Sequence, residues 1–432
     1  MFDLDSVCAP HRAEEEIIEA TPRAKGAEVK RTRAVPALGM IFLVQLAGVY
    51  ALDWWFHFEP GDYSMRFWPH VVRGAFVLQI VGYIALHARQ LKNLRIARFQ
   101  FLWLGILTLR FLYSGNFDSQ VVLYMSYYAY WVLVLWAGYC LVVDGHLSTR
   151  QVATAGALMI ALMVIRNALW TFAGVWIGVL GVGWRPEEEV TNSAYAILWF
   201  TLMLMLDISL PLGKPIALLG VMSVVLSVKR GAFIALLLAG IAYGITYAYI
   251  HRKGRGIKRV AAIAVLVAVA IGVSVWARSD EISERWSDVN DPSAIGGGSG
   301  REVFWAIIGQ EWLGDDLTTK LIGNGPHSVY ELTGELWFAE IPAHNDWLNL
   351  VYEFGIIGVL AFAGVCWALA RSVPLLMRDC VKMAPVFTAA LAAAFCVSIF
   401  DLFSYNTETS FFALLMAVPL GMSARAHATG IE

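Results

Sequence analysis

The chain has 432 residues, 32 Lys and Arg against 34 Asp and Glu, a formal net charge of -2, and is 58% hydrophobic but only 15% charged. Soluble domains average about a quarter charged, so this composition, with a mean hydropathy of +0.61, excludes them and points to an all-α polytopic membrane protein. The lipid bilayer is therefore the first partner to expect, and no nucleic acid is expected.

In chain order, residues 1–34 form a polar, charged tail. It argues against a cleavable signal peptide and for a terminus that stays where it was made. Crossing the hydrocarbon takes about 20 apolar residues, and twelve such runs follow. Nine lie within residues 35–277, at 36–56, 70–87, 99–115, 119–143, 152–172, 192–210, 213–228, 231–250 and 259–277. Three more, at 346–370, 383–401 and 409–424, lie within residues 346–424, and a short tail of 425–432 closes the chain. Residues 165–183 leave room for a re-entrant piece. If the amino-terminal tail lies inside, alternation puts 21 basic residues inside and 8 outside. That bias follows the positive-inside rule, so both termini are expected in the cytoplasm.

The five cysteines include Cys140, Cys366 and Cys396 in apolar runs, Cys8 in the tail and Cys380 in a basic loop, so no disulfide framework is implied. The histidines show no HxxxH spacing and the cysteines no CxxC, so no metal and no cofactor is expected.

One external segment, residues 278–345, is 68 residues long, and long ordered loops are usually functional. It begins acidic and glycine-rich (RSDEISERWSDVNDPSAIGGGSG), and then REVFWAIIGQEWL places Val303, Phe304, Ile307, Ile308 and Trp312 at helical spacing. One or more short helices on the outer membrane face are predicted.

Candidate chemistry gathers on that side. Arg230, in SVKRGAF, is external against the charge trend. It is either an interfacial arginine snorkelling to lipid phosphates or an anion clamp at a helix start. Arg301 follows the GGGSG run and is either an ordinary loop charge or a fork for phosphate oxygens. Arg185, in GWRPEEEV, stands beside three glutamates and is a weaker candidate for the same role. Arg73, Arg110 and Arg166 fall inside spans, where they need a polar cavity or a partner such as Asp401, Glu353 or a backbone carbonyl. The glycines of LIGNGPHSVYE, Gly323 and Gly325, permit a close turn. In AHNDWL, Asn345 or Asp346 suits a helix N-cap. Capping leaves His344 unexplained, and a neutral imidazole is the usual general base.

These residues resemble the O-antigen ligase and O-antigen polymerase superfamily of bacterial inner-membrane, GT-C-like glycosyltransferases. The ligase signature is His, then Asn, Ser or Gln, nine residues, and Gly-x-x-Gly. Here His344-Asn345 is followed by nine residues and then Gly355-Ile356-Ile357-Gly358. The Gly323/Gly325 turn, Arg301 and the Arg230-Gly231-Ala232 segment fit the same pattern. Where that family has Ser before Arg-Gly, this chain has Lys229, and its tail is longer than a ligase's.

The resemblance implies a multi-pass inner-membrane enzyme with its active site facing the periplasm. It implies metal-independent, inverting transfer of a glycan from undecaprenyl diphosphate to a sugar hydroxyl of lipid A-core. His344 would be the base, Arg230, Arg301 and Arg185 the diphosphate contacts, and Asn345, Gly323, Gly325 and Arg166 the support. The polymerases share the donor and most of the motif and differ in using a lipid-linked glycan as acceptor. A polyprenyl-lipid transporter, the rival class, would place its charges near the midplane within a repeat, and no repeat is evident.

Overall fold

The computed structural model describes residues 36–56, 63–173, 186–227, 229–251, 301–337, 342–400 and 408–429. These form sixteen helices and, among the described residues, no strand. They are α1 (Pro36–Phe56), α2 (Tyr63–Leu86), α3 (Ala88–Leu91), α4 (Arg95–Ser114), α5 (Ser119–Val143), α6 (Thr149–Ala173), α7 (Pro186–Met205) and α8 (Gly213–Leu226). The order continues with α9 (Arg230–Ile250), α10 (Arg301–Gly314), α11 (Leu317–Ile322), α12 (Ser328–Trp337), α13 (Asp346–Ala370), α14 (Val373–Asp379), α15 (Ala384–Phe400) and α16 (Thr409–Thr429).

Every expected apolar run that falls on described residues is helical, and the run at 259–277 lies outside them. Among the described residues, six helices are long and apolar enough to cross a membrane, and five shorter helical stretches are apolar as well. The boundaries move in a regular way. The runs expected to begin at residues 70 and 99 start at Tyr63 and Arg95, because a helix continues past the last apolar residue while its backbone bonds remain satisfied. Local caps then end or open it. Asp118 accepts the Gln120 N–H at 2.7 Å to start α5, and Asp316 accepts the Thr319 N–H at 3.0 Å to start α11. That bond holds the Asp316 carboxyl below the usual carboxylate range.

The run 346–370, expected as one straight span, is two helices. Gly355 adopts φ 65° and ψ -170° and breaks α13 between Phe354 and Ile356. Hydropathy gives no sign of this, since apolar residues continue on both sides.

Helix α5 is the central column. It packs along α16 and α2, while α4 packs on α13 and α9 runs along α15. Trp103, Tyr124, Tyr128, Trp131 and Phe412 are fully buried around it. Trp103 meets Tyr128, Trp131 and Phe362 with ring centroids 5.8, 5.7 and 5.3 Å apart. Aromatic pairs at such separations give about 0.5–1.5 kcal/mol beyond their buried area.

The two ends of the bundle differ chemically. At one end Asp144, just past α5, accepts the Tyr83 hydroxyl at 2.9 Å and lies 3.3 Å from His87 Nε2. Nearby Asp379 accepts Ser423 Oγ at 2.8 Å and Arg378 Nε at 2.8 Å, and His427 Nε2 lies 2.7 Å away. The opposite end gathers α10, α11 and α12 over the starts of α5, α9 and α13 and the end of α15.

Candidate active site

His344 directly precedes α13. Asn345 is the N-cap, its side chain accepting the Leu348 N–H at 3.0 Å, while Asp346 is the first helical residue and is buried. His344 itself is half-buried and holds φ +50°, a left-handed conformation that histidine adopts more readily than bulkier residues. Its neighbour explains how that turn is maintained. The Ala343 N–H donates to Asn349 Oδ1 at 3.2 Å, and the Ala343 carbonyl accepts Trp305 Nε1 at 2.7 Å. The residue before the histidine is therefore clamped from α13 on one side and α10 on the other.

Trp305 belongs to the inward face of α10. The sequence pattern Val303, Phe304, Ile307, Ile308 and Trp312 is shifted in the structure. The face turned inward runs through Trp305, Ile308 and Trp312 and packs on Val329, Ala343 and Tyr352, and Val303 is exposed. The helix forms as expected; its dry side is rotated because the two tryptophans bury more area than Val303.

The last turn of α15 draws the candidates together. Arg301 Nη1 donates to the Phe400 carbonyl. Trp347, in the first turn of α13, donates from Nε1 to Ser398 Oγ at 3.0 Å. On the third side, a Cβ on Gly231 would lie 3.5 Å from Phe400 Cβ, and Cys396 Sγ lies 3.9 Å from the Gly231 carbonyl. Arg230, the first residue of α9, is thus beside Phe400 and its side chain is exposed. Lys229, at the N-cap, gives no side-chain hydrogen bond to that helix start and places its Nζ 5.3 Å above the Tyr195 ring. A helix start next to two arginines favours an anion. Arg301, the start of α9 at Arg230–Gly231 and the first turn of α13, which follows His344, therefore meet at one helix terminus although 114 positions separate Arg230 from His344.

The Gly323–Gly325 turn docks on the kink in α13. The Asn324 N–H donates to the Tyr352 carbonyl at 2.8 Å and the Gly325 N–H to the Glu353 carbonyl at 2.9 Å. Those carbonyls are available because the helix breaks at Gly355. Both contacting glycines are required: a Cβ on Gly323 would lie 2.2 Å from the Glu353 oxygen, and one on Gly355 would lie 2.3 Å from the Leu321 oxygen. Gly323 and Gly355 thus let two backbones touch.

The internal arginines take separate partners. Arg110 Nη2 donates to the Gly323 carbonyl at 2.7 Å, so its partner is a backbone carbonyl of the docking turn. Arg73 lies 4.5 Å over the Tyr127 ring. Arg166 donates to Asn167 Oδ1 at 3.1 Å, and Asn167 in turn to Ser193 Oγ at 3.3 Å, on the α6–α7 pair. Arg185 and Asp401 lie outside the described residues.

Three contributors were missed in the sequence. The Phe400 carbonyl leaves no residue-type signal, because any residue supplies one. Trp305 was passed over within an amphipathic pattern. Glu353, considered only as a partner for an arginine, is fully buried with both carboxyl oxygens short of hydrogen-bonding geometry. The Tyr124 hydroxyl and the N–H groups of His327 and Val329 face it.

No protein-family model matches the chain, and no curated protein matches it either.

Proposed function

We propose that this multi-pass membrane protein is a glycosyltransferase acting at the periplasmic face of the bacterial inner membrane, an O-antigen ligase. It would move a glycan from undecaprenyl diphosphate to a sugar hydroxyl of lipid A-core. The observation that carries this reading is that Arg301, the start of α9 that Arg230 opens and the first turn of α13 just after His344 meet at the end of α15.

The chemistry needs two things of the protein. One is a base for the acceptor hydroxyl; the other is positive charge where the leaving diphosphate develops negative charge. His344 takes the hydroxyl proton, the freed oxygen attacks the anomeric carbon from the face opposite the diphosphate, and the carbon–oxygen bond to phosphate breaks with inversion. Arg230 and Arg301 receive the diphosphate. The guanidinium fork binds two phosphate oxygens at once, which a lysine ammonium does not. Arg301 now donates to the Phe400 carbonyl, an interaction it would exchange for a phosphate oxygen when the donor arrives. The N–H groups at the start of α9 add to the anion site from the backbone side.

The transfer test uses purified protein in liposomes with an undecaprenyl-diphosphate glycan and either lipid A-core or the donor alone. Glycan on lipid A-core supports the ligase. A ladder of lengthened lipid-linked glycan assigns the polymerase reaction instead, and lipid crossing the bilayer without transfer overturns the transferase reading.

A further inference from the structure

We propose that Glu353 is a positioning residue: its side chain latches the first turn of α12, and so the outer loop carrying Arg301, onto the helix that His344 opens. The positioning role rests on the transferase reading of the site; the latch itself does not.

Glu353 lies inside the fold with none of its surface exposed, and its carboxyl oxygens face donors that stand just short of full hydrogen-bonding geometry. Burying a carboxyl costs free energy that an apolar residue of the same size would not, so a packing role alone does not account for it. What surrounds it is specific. From α5 comes the Tyr124 hydroxyl, itself 2.9 Å from the Tyr128 hydroxyl. From the start of α12 come the N–H groups of His327 and Val329, with Glu331 the nearby acid on that helix. His327 sits at φ +71°, with its ring stacked on Tyr330 at 4.5 Å, so this helix start is held in a conformation that few residues adopt. A ten-residue helix start and a buried acceptor therefore face each other.

Glu353 acts on the same segment twice. Its main-chain carbonyl accepts the Gly325 N–H at 2.9 Å, and its side chain faces the N–H groups two and four residues further on. Arg110 holds the other side of the turn through the Gly323 carbonyl. The turn is in turn tied to the end of α10, since Asn324 Nδ2 donates to Asp315 Oδ2 at 2.9 Å. Residues 315–329 are thereby gripped between α4, α5 and α13, which sets α10 and its Arg301 against the clamp at Ala343.

Three variants separate the roles. Glu353→Gln keeps an acceptor and the shape, Glu353→Leu keeps volume without an acceptor, and Glu353→Ala keeps neither. Hydrogen exchange of the amides of residues 323–330 in detergent-purified protein reads the latch directly. Glu353→Gln is expected to exchange like the parent, and Glu353→Leu and Glu353→Ala about tenfold faster. In the liposome assay the same two variants lose about tenfold in kcat with KM little changed, and Glu353→Gln restores turnover. Parental exchange in the Leu variant, or Gln as damaging as Ala, overturns the latch. Faster exchange with parental kcat in the Leu and Ala variants keeps the latch and overturns its positioning role. If the parent transfers no glycan, the transferase reading fails, and the exchange experiment still decides for or against the latch.

Discussion

Replacing Gly355 with alanine tests whether the second half of the His-Asn-x9-Gly-x-x-Gly pattern is a docking edge. The residue holds φ 65° and ψ -170°, a region that is almost glycine-only, and a side chain there costs about 1–3 kcal/mol. The added Cβ would also lie 2.3 Å from the Leu321 oxygen and 2.6 Å from the Gly323 nitrogen, so the turn must back away. Backing away stretches the bonds from Asn324 N–H to Tyr352 and Gly325 N–H to Glu353, each about 0.5–1.5 kcal/mol net. Alanine recovers about 0.4–1 kcal/mol by restricting the unfolded chain. The net loss is about 3 kcal/mol at mid-range values. Gly309→Ala and Gly240→Ala are the controls, because a Cβ at either meets nothing within 4 Å. Both lie in helices, where alanine is worth up to about 1 kcal/mol over glycine, so their melting temperatures should hold or rise. Thermal unfolding in detergent, paired with hydrogen exchange at residues 321–325, is the assay. Should Gly355→Ala melt with the parent and keep its slow amides, the docking argument is refuted.

Four further outcomes are expected. His344→Ala should abolish glycan transfer while leaving the melting temperature within a few degrees, and near-normal transfer would remove His344 as the base. Arg230→Lys should lower transfer about 10²–10³-fold, as loss of one charge-stabilising donor does elsewhere; equal rates would favour the lipid-snorkelling role. Trp305→Phe deletes the bond to the Ala343 carbonyl, worth about 1–3 kcal/mol once that buried carbonyl is left bare. It should depress kcat more than an equally destabilising change at Trp367, an exposed residue on the span half of α13, and equal losses would count against the clamp.

The fourth concerns pH and the opposite end of the bundle. Burial alone would raise the Asp379 carboxyl, but hydrogen bonds from Arg378, Ser423 and His427 prevail and hold it below the usual range. A depressed carboxylate stabilises the fold above its unfolded value, about 3.9, and that contribution disappears as pH falls through the lower folded value. Asp379→Asn should therefore melt below the parent at pH 7, with the gap closing towards pH 3. A gap that stays constant over that range would show that the charge is not involved.

How much of this was legible in the sequence follows from the kind of force involved. Helix positions could be read because burial in hydrocarbon acts on composition over a long window. The helix after the GGGSG run and the Asn345 cap could be read because they depend on neighbours in the chain. The kink at Gly355 could not, because it goes with a backbone docking at Gly323, 32 positions away. The partner of Arg110 could be read only by kind: its position in a span called for an acid or a backbone carbonyl, and the structure supplies the Gly323 carbonyl. Backbone acceptors such as those of Phe400, Ala343 and Gly323 leave no trace in residue type, yet each orients a charged or aromatic side chain at the site.

The nine-residue interval between Asn345 and Gly355 now has a mechanical reading. Asp346–Phe354 is a helix of nine residues, about 13.5 Å at 1.5 Å per residue. One end is fixed by the Asn345 cap, the Ala343 clamp and the Trp347–Ser398 bond, and the other by the turn at Gly323–Gly325. Each added or removed residue rotates one end against the other by about 100° at 3.6 residues per turn. An interval of eight or ten would therefore leave the docking edge in place while swinging the first turn of α13, and His344 before it, out of its contact with the end of α15. The spacing works as a rigid ruler between His344 and a docked loop, with a capping residue at the near end and a glycine required at the far one.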